Sequence, residues 1–399
     1  MLRDLADELV KFGSHSMPEK TEDEVKAHIA AGEVFGISVD TAIFDKFGCN
    51  LRFPTLRSLG QFKTAKEHIF ISEIVRNEIV THVARDAEET QRALKRAVRK
   101  HCQRWQIEAG NCTLPAEFRI DAAPTESAAV QVDTFIGEIG ATLVPASGQV
   151  DIAGEAIRRY FAVEPPFANA DAKKHEFPDA FALLSLEALS SGERGYLLCV
   201  SPDKGWRQFA AGSDHIICVE SLDTVLAMFN ETGRDTADRM MDLWRNGRAA
   251  ALEAAVETAF EYRLSEVDFD ADAYSFCEID VEPVGAVMQS FDLDGASDPK
   301  VIAIDEDVVT FTTRLTATVE FETSVDFYAR DSVDKDLVHL TSETFTTNQA
   351  DEYELAITVG RHFEAEPNVT EVEIAKRRIS VSFGDLEPFR DENPYHEKY

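Results

Sequence analysis

The sequence predicts an α/β unit built on a parallel sheet, followed by a mainly antiparallel β domain. Three observations carry that expectation. Short apolar strands alternate with amphipathic helices up to about residue 230, the pattern of a parallel sheet. From residue 265 the apolar period changes from helical to two. The charge also divides the chain. Of a formal net charge of −33, residues 265–399 carry −22, from 32 acidic and 10 basic residues, and the first 264 residues carry −11. A separate region with its own task is the natural reading of such asymmetry.

In order, residues 1–30 read as a helical extension, in which Thr21-Glu22-Asp23-Glu24 has the pattern of a capping box. Residues 34–40 form the first strand, with a helix after it through Phe44, Phe47 and Leu51. Ile69-Phe70-Ile71 is a second strand. A long helix over 73–106 follows, with Ile74, Val75, Ile79 and Val83 at helical spacing. Residues 106–170 read as an insert holding a helix over 152–161. Pro165-Pro166 breaks the chain, and 177–189 is helical with Pro178 tolerated in its first turn. Residues 196–200 and 216–219 are strands, and 206–210 and 222–229 are short helices. The whole of 31–230 is expected to be one domain. Residues 231–264 read as an Ala-rich helical connector with one helix over 235–263. In the acidic β domain, 265–399, Val309, Phe311, Leu315, Ala317, Val319, Phe321, Val325 and Phe327 alternate with polar residues, as a half-buried strand requires.

Composition excludes several classes. A chain of 399 residues has length for two cores. No apolar run reaches the roughly 18 residues of a membrane helix, and the first residues lack the apolar core of a signal peptide, so the expectation is a cytoplasmic protein without a membrane. The six cysteines form no CxxC pair. There is no GxxxxGK loop, GxSxG elbow or HExxH helix.

The chemistry lies in four acids: Asp40, Glu78, Asp179 and Asp203. Each stands where an apolar strand ends or on the inner turn of a helix. In open α/β sheets the site lies outside the carboxyl ends of the strands. Carboxylates gathered there repel one another unless a hard divalent cation neutralises them. Asp40, Asp179 and Asp203 are the candidate ligands of Mg²⁺ or Mn²⁺, and Glu78 completes the set or orients a water. Thr41 and Ser201 are placed to hydrogen-bond those carboxylates, and Glu176 lies one helical turn before Asp179. Lys173, Lys174 and Lys204 flank the site as candidate phosphate contacts. Arg92, Arg96, Arg99 and Lys100 fall on one face of the long helix, to be read either as a phosphate-binding face or as a solvated face paired with Glu88 and Glu89. Asp45 and Asp214 read as solvated acids, Glu73 as a decoy for Glu78, His82 as a neutral polar contact and Trp206 as core.

Four segments in this order resemble the PIN-domain nucleases. They are Val39-Asp40-Thr41, Ile71-Ser72-Glu73-Ile74-Val75-Arg76-Asn77-Glu78, Glu176-Phe177-Pro178-Asp179-Ala180 and Ser201-Pro202-Asp203-Lys204. The resemblance spans roughly 30–228 and is nearest to bacterial PIN-like proteins with an extra C-terminal region. It implies catalytic roles for the same four acids, metal-dependent hydrolysis of phosphodiesters, RNA ahead of DNA as substrate, and a toxin-like or antiviral setting. The insert over 106–170 departs from the minimal members of that family. Beside this stands a non-catalytic alternative, a PIN-like scaffold whose acidic β domain binds a protein partner or a second copy of the chain.

Overall fold

The computed structural model describes residues 20–108, 114–115, 118, 122–147, 151–167, 175–265, 269–330, 336–363, 368–375 and 379–389. Lys173 and Lys174, and the first 19 residues, lie outside them. The chain divides into two compact units, Met1–Phe229 and Asn230–Tyr399.

The first unit opens with α1 (Glu22–Ala30), and the predicted capping box is present: the Thr21 side chain accepts from the Glu24 amide and Glu24 accepts from the Thr21 amide. Then come β1 (Val34–Val39), α2 (Thr41–Lys46), the one-turn α3 (Pro54–Arg57), β2 (His68–Ser72) and the long α4 (Glu73–Arg104). Next are α5 (Pro124–Ile139), β3 (Thr142–Val144), α6 (Ile152–Ala162), α7 (Phe177–Ser190), β4 (Tyr196–Val200), α8 (Lys204–Ala211), β5 (Ile216–Val219) and α9 (Leu222–Phe229). The five strands form one sheet in the order β3-β2-β1-β4-β5, and every pairing is parallel. The central strands β1 and β4 are short and almost wholly buried, as expected for a sheet covered on both faces by helices. Gly36 in β1 is required by close approach, because a Cβ there would lie 2.5 Å from the Phe70 ring and 2.8 Å from the His68 carbonyl.

Part of the stretch expected as an insert belongs to the sheet itself. β3 is an edge strand, and α5 brings the chain to it. α5 buries Ala128, Val132, Phe135, Ile136 and Ile139 on one face and ends at Gly140 with φ 68°. Arg76 of α4 grips Asp133 of α5 through two hydrogen bonds of 2.8 and 2.7 Å. Cys102, near the end of α4, is disulfide-bonded.

The second unit holds α10 (Arg234–Arg245), α11 (Ala250–Ser265), β6 (Phe269–Tyr274), β7 (Glu278–Asp292), β8 (Lys300–Ile304), β9 (Val308–Arg330), β10 (Leu337–Gly360), β11 (Val369–Ile374) and β12 (Ile379–Asp385). Its sheet runs β11-β10-β9-β7 with β8 also on β9, all antiparallel, while β6 and β12 form a separate parallel pair. The eight alternating apolar residues predicted for β9 are all buried. The residues read as a connector form part of this unit's core: Met240, Met241 and Trp244 of α10 and Leu252, Val256 and Phe260 of α11 share one apolar cluster with Phe311, Phe321 and Leu355 of the sheet. The single helix expected over 235–263 is two helices. Gly247 adopts φ 65°, its N–H bonds to the Trp244 carbonyl and the Arg248 N–H bonds to that of Leu243, which closes α10.

Candidate active site

β1 and β4 are neighbours at the point where the strand order reverses, β2 and β3 lying to one side and β5 to the other. That is where ligands settle in open α/β sheets. Val39 and Val200 pair in register, so Asp40 and Ser201 leave adjacent strands at the same level. The Asp40 amide donates to the Val200 carbonyl at 3.0 Å, and the Ser201 hydroxyl donates to Asp40 Oδ2 at 2.7 Å. Asp40 is only 5% exposed and Ser201 is fully buried.

Asp203 is the N-cap of α8, and its Oδ1 accepts from the amides of Gly205 at 2.6 Å and Trp206 at 3.1 Å. Its own amide donates to the Ser201 hydroxyl at 3.0 Å. One serine therefore ties the end of β1 to the start of α8. Glu78 lies in the second turn of α4, a helix opened by the Ser72 side chain accepting from the Ile74 amide. Thr41, first residue of α2, donates its hydroxyl to Glu78 Oε2 at 2.6 Å. Asp179 lies in the first turn of α7, where Pro178 lacks only an amide hydrogen that helix starts leave unpaired. Trp206 donates its indole N–H to Asp179 Oδ1 at 2.8 Å.

Asp40 and Asp179 each feel the negative charge of neighbouring acids. Burial lifts the Asp40 carboxyl to about 7, against the opposing Ser201 hydrogen bond and with repulsion from Asp179 and Asp203 adding to it. Burial likewise lifts Asp179 to about 6, against the Trp206 N–H and with the charges of Asp203, Glu78 and Glu176 adding to it. Among the described residues none of the four carboxylates is paired with a lysine or arginine. The acids of β1, α4, α7 and α8 thus lie within electrostatic reach of one another through Asp179, with no paired lysine or arginine among the described residues. The donor set, carboxylate oxygens with two hydroxyls beside them, fits a hard divalent cation.

The remaining expectations fall as follows. Glu73 faces elsewhere, its Oε2 accepting from the Ala146 amide at 3.2 Å. Lys204 is the exposed first residue of α8, beside Asp203. Arg92, Arg96, Arg99 and Lys100 are exposed on α4, and Arg92 pairs with Glu88. Asp45, expected as a solvated acid, is exposed and also hydrogen-bonds to His82 Nδ1 at 2.7 Å. Trp206 is core, as expected, being fully buried, but it is also the donor that holds Asp179. That second role follows from one signal in the sequence: a tryptophan three residues after an N-cap aspartate carries a donor that burial obliges to find a partner.

Residues 37–206 match the family model described as PIN domain. That segment is similar to a PIN domain. The matched segment begins in β1 and ends in α8, so it encloses all four carboxylates. PIN domains are typically nucleases and generally use divalent metal ions. No curated protein and no solved structure matches the chain. Among the described residues no helix is long and apolar enough to cross a membrane.

Proposed function

We propose that the PIN domain of this chain is a Mg²⁺- or Mn²⁺-dependent nuclease that hydrolyses phosphodiester bonds in RNA. The observation that supports the reading is the electrostatic coupling of Asp40 with Asp179 and Asp203, and of Asp179 with Asp203 and Glu78, with no lysine or arginine paired to the four among the described residues. Asp40, Asp179 and Asp203 are the residues that would hold the ion. Bound there, it would neutralise the cluster, polarise the phosphodiester and acidify a water. Ser201 and Trp206 fix the directions of Asp40 and Asp179, each by one hydrogen bond. Thr41 occupies Glu78 Oε2, which leaves Oε1 to accept a proton from the attacking water as its oxygen bonds to phosphorus, the bond to the leaving oxygen breaks and that oxygen takes a proton from solvent. Glu176 adds negative charge beside Asp179. Lys204, with Lys173 and Lys174, would contact substrate phosphates as point charges. The preference for RNA rests on the resemblance of the four motifs to nucleases that mostly cut RNA.

The test is incubation of the full chain with labelled RNA and labelled DNA, with Mn²⁺, with Mg²⁺ or with EDTA. RNA is cut with an ion present and remains intact in EDTA. Asp40→Asn lowers the rate by at least about 100-fold, since even groups behind a metal's ligands cost 10–100-fold. RNA left whole with both ions overturns the nuclease reading, and cleavage of DNA alone overturns the choice of substrate.

A further inference from the structure

One helical turn beyond the Thr41–Glu78 contact, the same two helices bring together a second, chemically different group. Asp45 lies four residues after Thr41 on α2, and His82 lies four residues after Glu78 on α4. Asp45 Oδ1 is 2.7 Å from His82 Nδ1, and the Cys49 thiol donates to the same oxygen at 3.4 Å. The candidate ligand atoms of all three lie within 4.8 Å of one another.

The backbone is bent to bring this about. α2 ends in a turn in which the Gly48 amide bonds to the Asp45 carbonyl and the Cys49 amide to the Phe44 carbonyl, both at 2.8 Å. Gly48 has φ 58°, as this turn favours. Cys49 follows with φ 53°, a left-handed conformation that a residue with a side chain rarely adopts. Phe44 and Phe47, both buried, anchor the turn, and Phe47 stacks on Phe53. A strained non-glycine residue held by such a frame points to a function for the side chain it aims.

We propose that Asp45, Cys49 and His82 form a second metal site, selective for a thiophilic divalent ion of the zinc class and distinct from the carboxylate cluster. One sulfur, one nitrogen and one oxygen are the ligands that zinc takes, three from the protein with a fourth position open to water. Magnesium and manganese favour oxygen donors, so the two sites discriminate by ligand softness. His82 and Cys49 are half-buried and Asp45 is exposed, so an ion can enter from solvent. Burial and the neighbouring Asp45 charge push the Cys49 thiol up to about 12, so the metal-free site holds that proton and binding releases it to solvent. The filled site would clamp the turn after α2 onto α4.

The test uses the full chain, in excess Mg²⁺ to supply the carboxylate cluster, titrated with Co²⁺ as an optical stand-in for zinc. The expected result is a saturable thiolate-to-cobalt absorption band that Zn²⁺ abolishes by displacement. The band is lost in Cys49→Ser and in His82→Gln and is retained in Asp40→Asn. Zn²⁺ also raises the thermal midpoint of the native chain and not that of Cys49→Ser. No band at excess Co²⁺, or a band that survives Cys49→Ser, overturns the site. The His82→Gln variant decides the matter where Cys49→Ser fails to fold. Cleavage of RNA is read separately, so loss of one result leaves the other standing.

Discussion

Trp206 and Asp179 are joined by a 2.8 Å hydrogen bond between an indole N–H with no exposed surface and a carboxylate in the first turn of α7. Trp206 sits in the first turn of α8, whose cap is Asp203. The two aspartates are therefore linked through one rigid side chain. Indole donates and never accepts, so the bond holds Asp179 best when it is ionised. It opposes the burial that lifts the Asp179 carboxyl to about 6.

Trp206→Phe keeps an aromatic ring in the core but removes the donor together with part of the buried indole volume. The variant is expected to need about 10–100-fold more Mn²⁺ for half-maximal cleavage, the usual cost of losing a group that orients a ligand. The fold should lose about 1–3 kcal/mol, the cost of an unmade hydrogen bond to a charged group. Mn²⁺ titrations of cleavage and urea unfolding measure the two effects. An unchanged Mn²⁺ midpoint with lowered stability would reduce Trp206 to a packing residue.

Without divalent ions, Asp40 should make the fold weaker as pH rises. Its folded carboxyl is lifted from 3.8 to about 7, so between those values the folded state keeps a proton that the unfolded state has released. Unfolding then releases protons, and stability falls with rising pH across that window and levels off above it. Asp179 acts in the same direction between 3.8 and about 6. Other carboxylates, such as Glu155, are lowered, in its case to about 2 by Arg158, and act oppositely at more acid pH. The difference between wild type and Asp40→Asn isolates the effect. In EDTA the variant should gain on wild type from pH 4 to pH 7, by an amount on the order of 4 kcal/mol at most. A difference that stays flat with pH would show that the Asp40 charge is not opposed by its surroundings.

Arg96, Arg99 and Lys100 stand exposed on α4. Reversal of all three to Glu, in an Asp40→Asn background that cannot cut, should weaken binding of single-stranded RNA. The slope of log affinity against log salt should flatten by about 2, because each lost phosphate contact on a single strand removes about 0.7 of a released counterion. Fluorescence anisotropy at several salt concentrations reads both quantities. Equal affinity and equal slope would leave this face as solvated surface.

Much of this was legible in the sequence. Strand ends at Asp40 and Asp203 were visible because burial on both faces makes strands such as Tyr196–Val200 continuous apolar runs, and polar residues mark where burial stops. The period-two pattern of Val308–Arg330 was equally plain, since a sheet with one covered face must alternate. Other elements were hidden. β3 has only three residues, two of them exposed, so its place at the sheet edge depends on pairing with β2 and leaves little trace in its composition. The break at Asn246–Gly247 lies inside a run of good helix formers, where the Asn-Gly pair is the one local turn signal and the left-handed glycine closes α10.

The sequence by itself determined the buried faces of the long strands, most of the elements and the acids Asp40 and Asp203 beyond strand ends, because these follow from local period and from the chemistry of single side chains. Tertiary structure alone decided the pairings. Ser201 meets Asp40 because β1 and β4, 161 positions apart at those residues, run in register. Thr41 meets Glu78, and Asp45 meets His82, because α2 and α4 align one turn after another over 37 positions. Such contacts are set by strand order and helix packing, which no local pattern encodes, and they turn a list of acids into a site.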